Sequence, residues 1–196
     1  IPSILSWKEE GVELIQQNCI PESEQVNFIL NLKEKRRLVL RIRKPEWTDK
    51  ATIAINGKVV RPFLDRDGYW VINNVWERKN TITLNLPMRI YTENLVGSGR
   101  YIALLYGPYV LAGHLGKENL PVTFWGKMNN TAMNKVDLAT VPVFTVPAEQ
   151  IPTCVESVSA APLKFKINLK GFEKIVIEPF YKIHFERYAI YWPISY

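Results

Sequence analysis

The sequence predicts an all-β protein, an antiparallel β-sandwich of jelly-roll-like type followed by a smaller β-rich second domain. Three observations predict it. The apolar runs are of strand length and too short for globular helices. Aromatic residues make up 12% of the chain and prolines number 13, a composition suited to pleated, half-buried surfaces broken by turns. Turn residues also recur between the runs at the short spacing of a sandwich. With 196 residues and 47% hydrophobic content, the chain is long enough for one well-buried domain or two small ones, and disorder is not the default.

In order along the chain, "SILSW", "VELIQQ", "QVNFILNL", "RLVLRIR", "ATIAIN", "YWVIN", "TITLNL" and "RYIALLY" each alternate or run apolar between turn residues. In "RLVLRIR" a period of two sends Leu38, Leu40 and Ile42 to one face and Arg37, Val39, Arg41 and Arg43 to the other. Asn56-Gly57 is a strong hairpin signal, because a type I′ turn needs positive φ at both central residues. Asp67-Gly68 reads as a second turn of the same kind, which places "ATIAIN" and "YWVIN" on neighbouring or near-neighbouring strands. Trp47 and Trp76, each beside a strand, are expected to plug the end of the sandwich, since one indole fills about 200 Å² of apolar surface.

After Gly113 the texture changes. Prolines 121, 142, 147, 152 and 162 and the polar "WGKMNNTAMNK" mark a loop-rich stretch in which only "VFTV" is strand-like. Order returns in "LKFKINL", "KIVIEPF" and "RYAIYW". The reading therefore divides the chain into a β-sandwich domain over residues 1–115 and a smaller, loop-rich β domain over 116–196.

Lysine and arginine total 25 against 19 acidic residues, a net charge of +6. The densest basic run is "KEKRRLVLRIRK", and there the charge belongs to the solvated face of a strand. No zinc-finger, helix-turn-helix or RNA-binding signature accompanies it, so no nucleic-acid partner is expected. No stretch approaches the ~20 apolar residues that span a bilayer as a helix, so no membrane insertion is expected. Cys19 and Cys154 lie in no ligand-spaced motif, which gives no metal site, and they are free or paired.

Three segments together resemble a known family. "LVLRIRKPEWTDKATIAINGKVV" is similar to the strand and Asn-Gly hairpin of glycoside hydrolase family 127, the β-L-arabinofuranosidase-like enzymes. "GYWVINNVWERKNTITLNLPM" resembles its tyrosine strand and the strand ending in Leu-Pro-Met, and "YIALLYGPYVLAG" its Gly-Pro segment. "PFYKIHFERYAIYW" resembles the ending of larger bacterial members. The sequence departs from the pattern at Arg43-Lys44 before the proline, and at Lys79-Asn80, where members often carry Gly-Asp. The resemblance implies an (α/α)6 barrel N-terminal to this region that carries the catalytic glutamate, the nucleophilic cysteine and the zinc. No catalytic or zinc-binding position carries over, so zinc is expected only in that missing domain and no cofactor in this chain. The opening "IPSILSW" reads as the middle of something larger. The implied partner is the missing N-terminal catalytic barrel of the same polypeptide, and the implied location is periplasmic or extracellular.

The residues themselves single out no chemistry. A glycosidase needs two carboxylates about 5 to 9.5 Å apart across one bond, and no spacing here marks such a pair. Trp125, in the polar loop "TFWGKMNNT", is the candidate for carbohydrate contact, because loops on a rigid scaffold carry function. In "IEPFYKIHFERYAIYW", read with a period of two, Tyr181, Ile183 and Phe185 face one way and Phe180, Lys182, His184 and Glu186 the other. His184 and Arg187 are expected to be structural anchors, His184 hydrogen-bonded and Arg187 held by a carboxylate or backbone carbonyls and stacked on an aromatic. The expected function is a non-catalytic accessory region of a glycoside hydrolase, inactive alone. The alternatives are a carbohydrate-binding module using exposed aromatics and a small enzyme using His184 with Glu186.

Overall fold

A computed structural model describes residues 1–20, 22–118, 120, 139–160 and 162–195. Strands dominate it and no α-helix occurs among the described residues. The chain forms two compact units, Ile1–Arg89 and Ile90–Tyr196.

The first unit holds nine strands: β1 (Ser3–Trp7), β2 (Val12–Asn18), β3 (Gln25–Leu32), β4 (Arg36–Arg43), β5 (Thr52–Ile55), β6 (Lys58–Val60), β7 (Phe63–Leu64), β8 (Tyr69–Trp76) and β9 (Lys79–Asn85). They make a six-stranded sheet in the order β1-β2-β3-β9-β5-β6 and a three-stranded sheet β4-β8-β7. Every registered pair is antiparallel. One core joins the two sheets. Val26, Leu30, Leu32, Ile53, Ile82 and Leu84 come from the larger and Trp70, Ile72 and Trp76 from the smaller, with Leu38, Leu40 and Ile42 packed on them. The alternation of β4 is as its sequence reads, Arg37, Val39, Arg41 and Arg43 being exposed. Trp76 is fully buried, its indole N–H donating to the Leu38 carbonyl at 3.0 Å, and Trp47 packs on the same core.

Asn56 and Gly57 take φ of 49° and 79°, the pair of positive values a type I′ turn requires, and they join β5 to β6. Asp67-Gly68 behaves differently. Only Gly68 has positive φ, at 81°, and the loop joins β7 to β8. β5 and β8 consequently lie in different sheets, and "ATIAIN" and "YWVIN" are not neighbours. The turn is shaped by Asp65, whose Oδ1 accepts the Asp67 and Tyr69 amides at 3.1 and 2.8 Å.

The second unit is built on β10 (Ile90–Asn94), β11 (Tyr101–Tyr106), β12 (Tyr109–His114), β13 (Val155–Ala160), β14 (Leu163–Ile167), β15 (Val176–Pro179), β16 (Tyr188–Ala189) and β17 (Tyr191–Pro193). Its sheet runs β10-β11-β12-β15-β14-β13. β11 and β12 form a hairpin around Gly107-Pro108, in which Gly107 takes φ of 53° beside a proline fixed at negative φ. They pair only from Leu104↔Leu111 to Tyr106↔Tyr109 and then diverge. The last strands fill the fork, β17 pairing Tyr101–Ala103 of β11 and β16 pairing Gly113–His114 of β12. Ile102, Leu104, Leu111, Phe144, Phe172, Ile177 and Trp192 form the core.

The division therefore falls at Arg89/Ile90 rather than at 115/116, and the second unit is the longer. β10 to β12 look like a continuation of the first sandwich by spacing, but their hydrogen bonds go to β15, β16 and β17. The loop-rich stretch after Gly113 is a connection inside the second unit. Two other sequence readings change. "VFTV" makes only an isolated bridge, Phe144↔Ile194, and "VESVSA" is a strand.

Candidate functional site

β12 pairs Ala112 with Glu178 on β15 and His114 with Tyr188 on β16. These four residues share one face of the sheet, because Leu111, Gly113, Ile177 and Trp192 occupy the other and are buried in the core. Beyond Pro179 the chain leaves the strand. A 3-10 turn spans Phe180–Lys182, the Ile183 amide donates to the Phe180 carbonyl, and Phe185 adopts φ of 58°. This path brings Glu186 back onto the sheet at His114.

The imidazole of His114 then stands between two carboxylates. Its Nδ1 is hydrogen-bonded to Glu186 Oε1, and its Nε2 lies 2.9 Å from Glu178 Oε1, at ion-pair distance but outside hydrogen-bond alignment. The Glu178 and Glu186 side chains are about nine-tenths buried, and that of His114 is 27% exposed. Lys117 Nζ is 3.9 Å from Glu186 Oε2. Carboxylate oxygens only accept, so an imidazolium, a donor at both nitrogens, satisfies both partners, and a neutral ring satisfies one. Among the described residues no group of three or more His, Cys, Asp or Glu is placed to hold a metal ion. Here the ring separates the two carboxylates. What the cluster offers is acceptor oxygen sunk in an aromatic surface.

Residues 1–88 match the family model described as β-L-arabinofuranosidase, GH127 middle domain. Residues 91–194 match a model described as a domain of unknown function. The first 88 residues thus match the middle domain of glycoside hydrolase family 127. Solved structures of the same fold include a GH127 β-L-arabinofuranosidase from Geobacillus stearothermophilus T6, at 14% identity and TM-score 0.67, matching 99% of this chain and 32% of its own. A protein titled glycoside hydrolase matches at 17% identity and TM-score 0.61, over 100% of this chain and 34% of its own. A GH127 β-arabinofuranosidase matches at 14% identity and TM-score 0.58, over 99% and 33%. The chain thus spans about a third of the length of these structures. No curated protein matches it.

The two family-model matches meet where the two units do, at residues 88 to 91. Of the residues singled out from sequence, Trp125 lies outside the described residues. His184 is exposed, its ring 6.3 Å from that of Phe185. The turn at 180–182 and the left-handed Phe185 break the strand that would have put His184 and Glu186 on one face. Arg187 is held by backbone, its Nη1 donating to the Glu118 carbonyl at 2.7 Å and its amide to the Gly116 carbonyl at 3.0 Å. The histidine that the fold embeds is His114, 72 residues before Glu186 in sequence. Sequence reasoning passed over it because neither carboxylate lies near it along the chain. Its position just after "YVLAG", at the end of an apolar strand, was the available signal. Cys19 and Cys154 are both free thiols.

A second polar cluster belongs to the first unit. Arg41 Nη2 donates to Asp65 at 2.5 Å and to Asp67 at 3.2 Å, and its guanidinium lies 4.8 Å from the Tyr69 ring centre. The Tyr69 amide, followed by Arg41 and the Asp67 amide, holds the Asp65 carboxyl below its ordinary range against the opposing effect of desolvation. Every member also shapes the β7–β8 turn, so the cluster reads as a turn lock.

Proposed function

We propose that this family 127 region is a non-catalytic accessory part of a bacterial, exported glycoside hydrolase of the β-L-arabinofuranosidase type. It acts by packing against a catalytic barrel elsewhere in the same polypeptide. One observation carries the reading. In the six-stranded sheet, Val12 and Leu14 of β2 still pack on the core, and the residues facing them on β1 are Trp7 and Leu5. These two stay 51% and 54% exposed, and Ile4 on the opposite face 69%. β1 is an edge strand without a charged residue, where edges are ordinarily blunted by charge or proline. An apolar edge of this kind suits a protein partner.

The test is made in the full-length parent. With Leu5→Ser and Trp7→Ser together, the parent is expected to lose thermal stability and hydrolytic activity, while the isolated region melts unchanged. A parent indifferent to both substitutions contradicts the reading. A second reading, carbohydrate contact through exposed aromatics, is favoured by the outer face of the second unit, where Tyr101, Tyr188 and Tyr191 are 42%, 46% and 44% exposed.

A further inference from the structure

We infer that the outer face of the second unit's sheet is a carbohydrate-binding platform for a neutral oligosaccharide, running from His114 along Tyr188 and Tyr191 to Tyr101. The inference rests on the second reading above and gives it a site. Cross-strand register supplies the layout. Tyr188 is directly opposite His114, Tyr191 opposite Ala103, and Tyr101 opposite Pro193. Tyr191 and Tyr101 are therefore diagonal neighbours, about 7–8 Å apart at the backbone. Tyr188 and Tyr191 are three residues apart across a bend at Ile190, which ends one strand, starts the next and returns both rings to the same face. Their neighbours Ile102, Ala189 and Trp192 are buried, so all three tyrosines belong to the solvent side of the sheet. The row has the length of an oligosaccharide rather than of one ring.

The chemistry at its end selects the ligand. Tyrosine gives a large rigid face with a polar tip at small conformational cost, and such a face stacks on the C–H side of a sugar. Phe180 widens it, its ring 5.0 Å from that of Tyr188. Beside Tyr188, the two carboxylates around His114 have four oxygens for two imidazole nitrogens and the Lys117 ammonium at 3.9 Å, so acceptor capacity is left over at their small exposed edge. Sugar hydroxyls are donors that match leftover carboxylate oxygen. A carboxylate- or phosphate-bearing ligand brings further acceptors, which these oxygens do not match.

Affinity electrophoresis of this chain in native gels tests the assignment, with soluble arabinan as the neutral probe and polygalacturonate as the acidic one. Retardation by arabinan and none by polygalacturonate is expected. Tyr188→Ala combined with Tyr191→Ala should weaken retardation at least tenfold at unchanged melting temperature, and Tyr188→Phe with Tyr191→Phe should retain most of it. If the wild-type chain is retarded but the alanine variant is retarded equally, carbohydrate contact stands and this site is wrong. If the wild-type chain is retarded by neither probe, or by polygalacturonate alone, both the site and the carbohydrate reading fall.

Discussion

The indole of Trp192 lies against Gly113 so closely that a β-carbon there would come within 2.8 Å of its Cζ2 and 2.9 Å of Ile175 Cγ2. Gly113 sits where β15 and β16 flank β12, and Trp192 is fully buried beneath them. The glycine is thus a packing position. Gly113→Ala is expected to cost about 1–3 kcal/mol by overpacking, measured as a lowered denaturation midpoint. An unchanged midpoint would show that the indole can move aside.

The His114 cluster ties three parts of the second unit together, β12, β15 and the 183–187 segment. Glu186→Gln keeps the shape but removes the charge facing Nδ1. It is expected to raise amide exchange across residues 183–187 and to destabilise the unit by about 1.5–3 kcal/mol, the scale of a hydrogen bond involving a charged partner. Exchange confined to its wild-type rate would remove the cluster from any fastening role.

Asp65 gives the first unit an acid-sensitive turn. Its folded pKa is depressed below the ordinary 3.8, chiefly by the Tyr69 amide and then by Arg41. A depressed carboxyl stabilises fully above the unfolded value and loses that contribution as pH falls through the folded one. Amide protection at Tyr69 should therefore hold above about pH 5 and fall as acidification passes below 3.8. Asp65→Asn should weaken it already at neutral pH and remove the acid step. A wild-type loop whose protection shows no acid step contradicts the assignment.

Asn80 is 2% exposed. Its side chain donates to the Glu77 carbonyl at 2.6 Å and accepts from the Glu77 amide at 3.2 Å and from Asn56 Nδ2 at 3.3 Å. Asn80→Ala leaves buried groups unpaired and is expected to cost about 2 kcal/mol. Gly57→Ala, at φ of 79° with open space around it, is expected to cost about 1 kcal/mol through backbone strain alone. Chemical denaturation of the two variants should rank them in that order.

Local pattern made most strands legible. The alternation in "RLVLRIR" placed its arginines outside, and Asn56-Gly57 announced its turn, because period and turn chemistry act over a few residues. Sheet membership was not legible. Nothing in "YIALLYGPYVLAGH" says that β12 will open from β11 to admit strands about 75 residues later. The boundary was consequently drawn at a change of composition that falls inside a unit. The same long-range pairing hid the candidate site, since His114 meets its carboxylates only through β15 and β16. His184 drew attention because Glu186 is near it in sequence, and a single left-handed residue, Phe185, sends the two to different places.

In the function proposed, this region supports catalysis without performing it. The direct measurement is hydrolysis of a chromogenic β-L-arabinofuranoside by the purified 196-residue chain and by its full-length parent at equal molar concentration, with zinc supplied to both. Turnover by the parent and none above background by the chain alone is expected. Turnover by the isolated chain that His114→Ala abolishes would contradict it and would make the His114 cluster a catalytic centre.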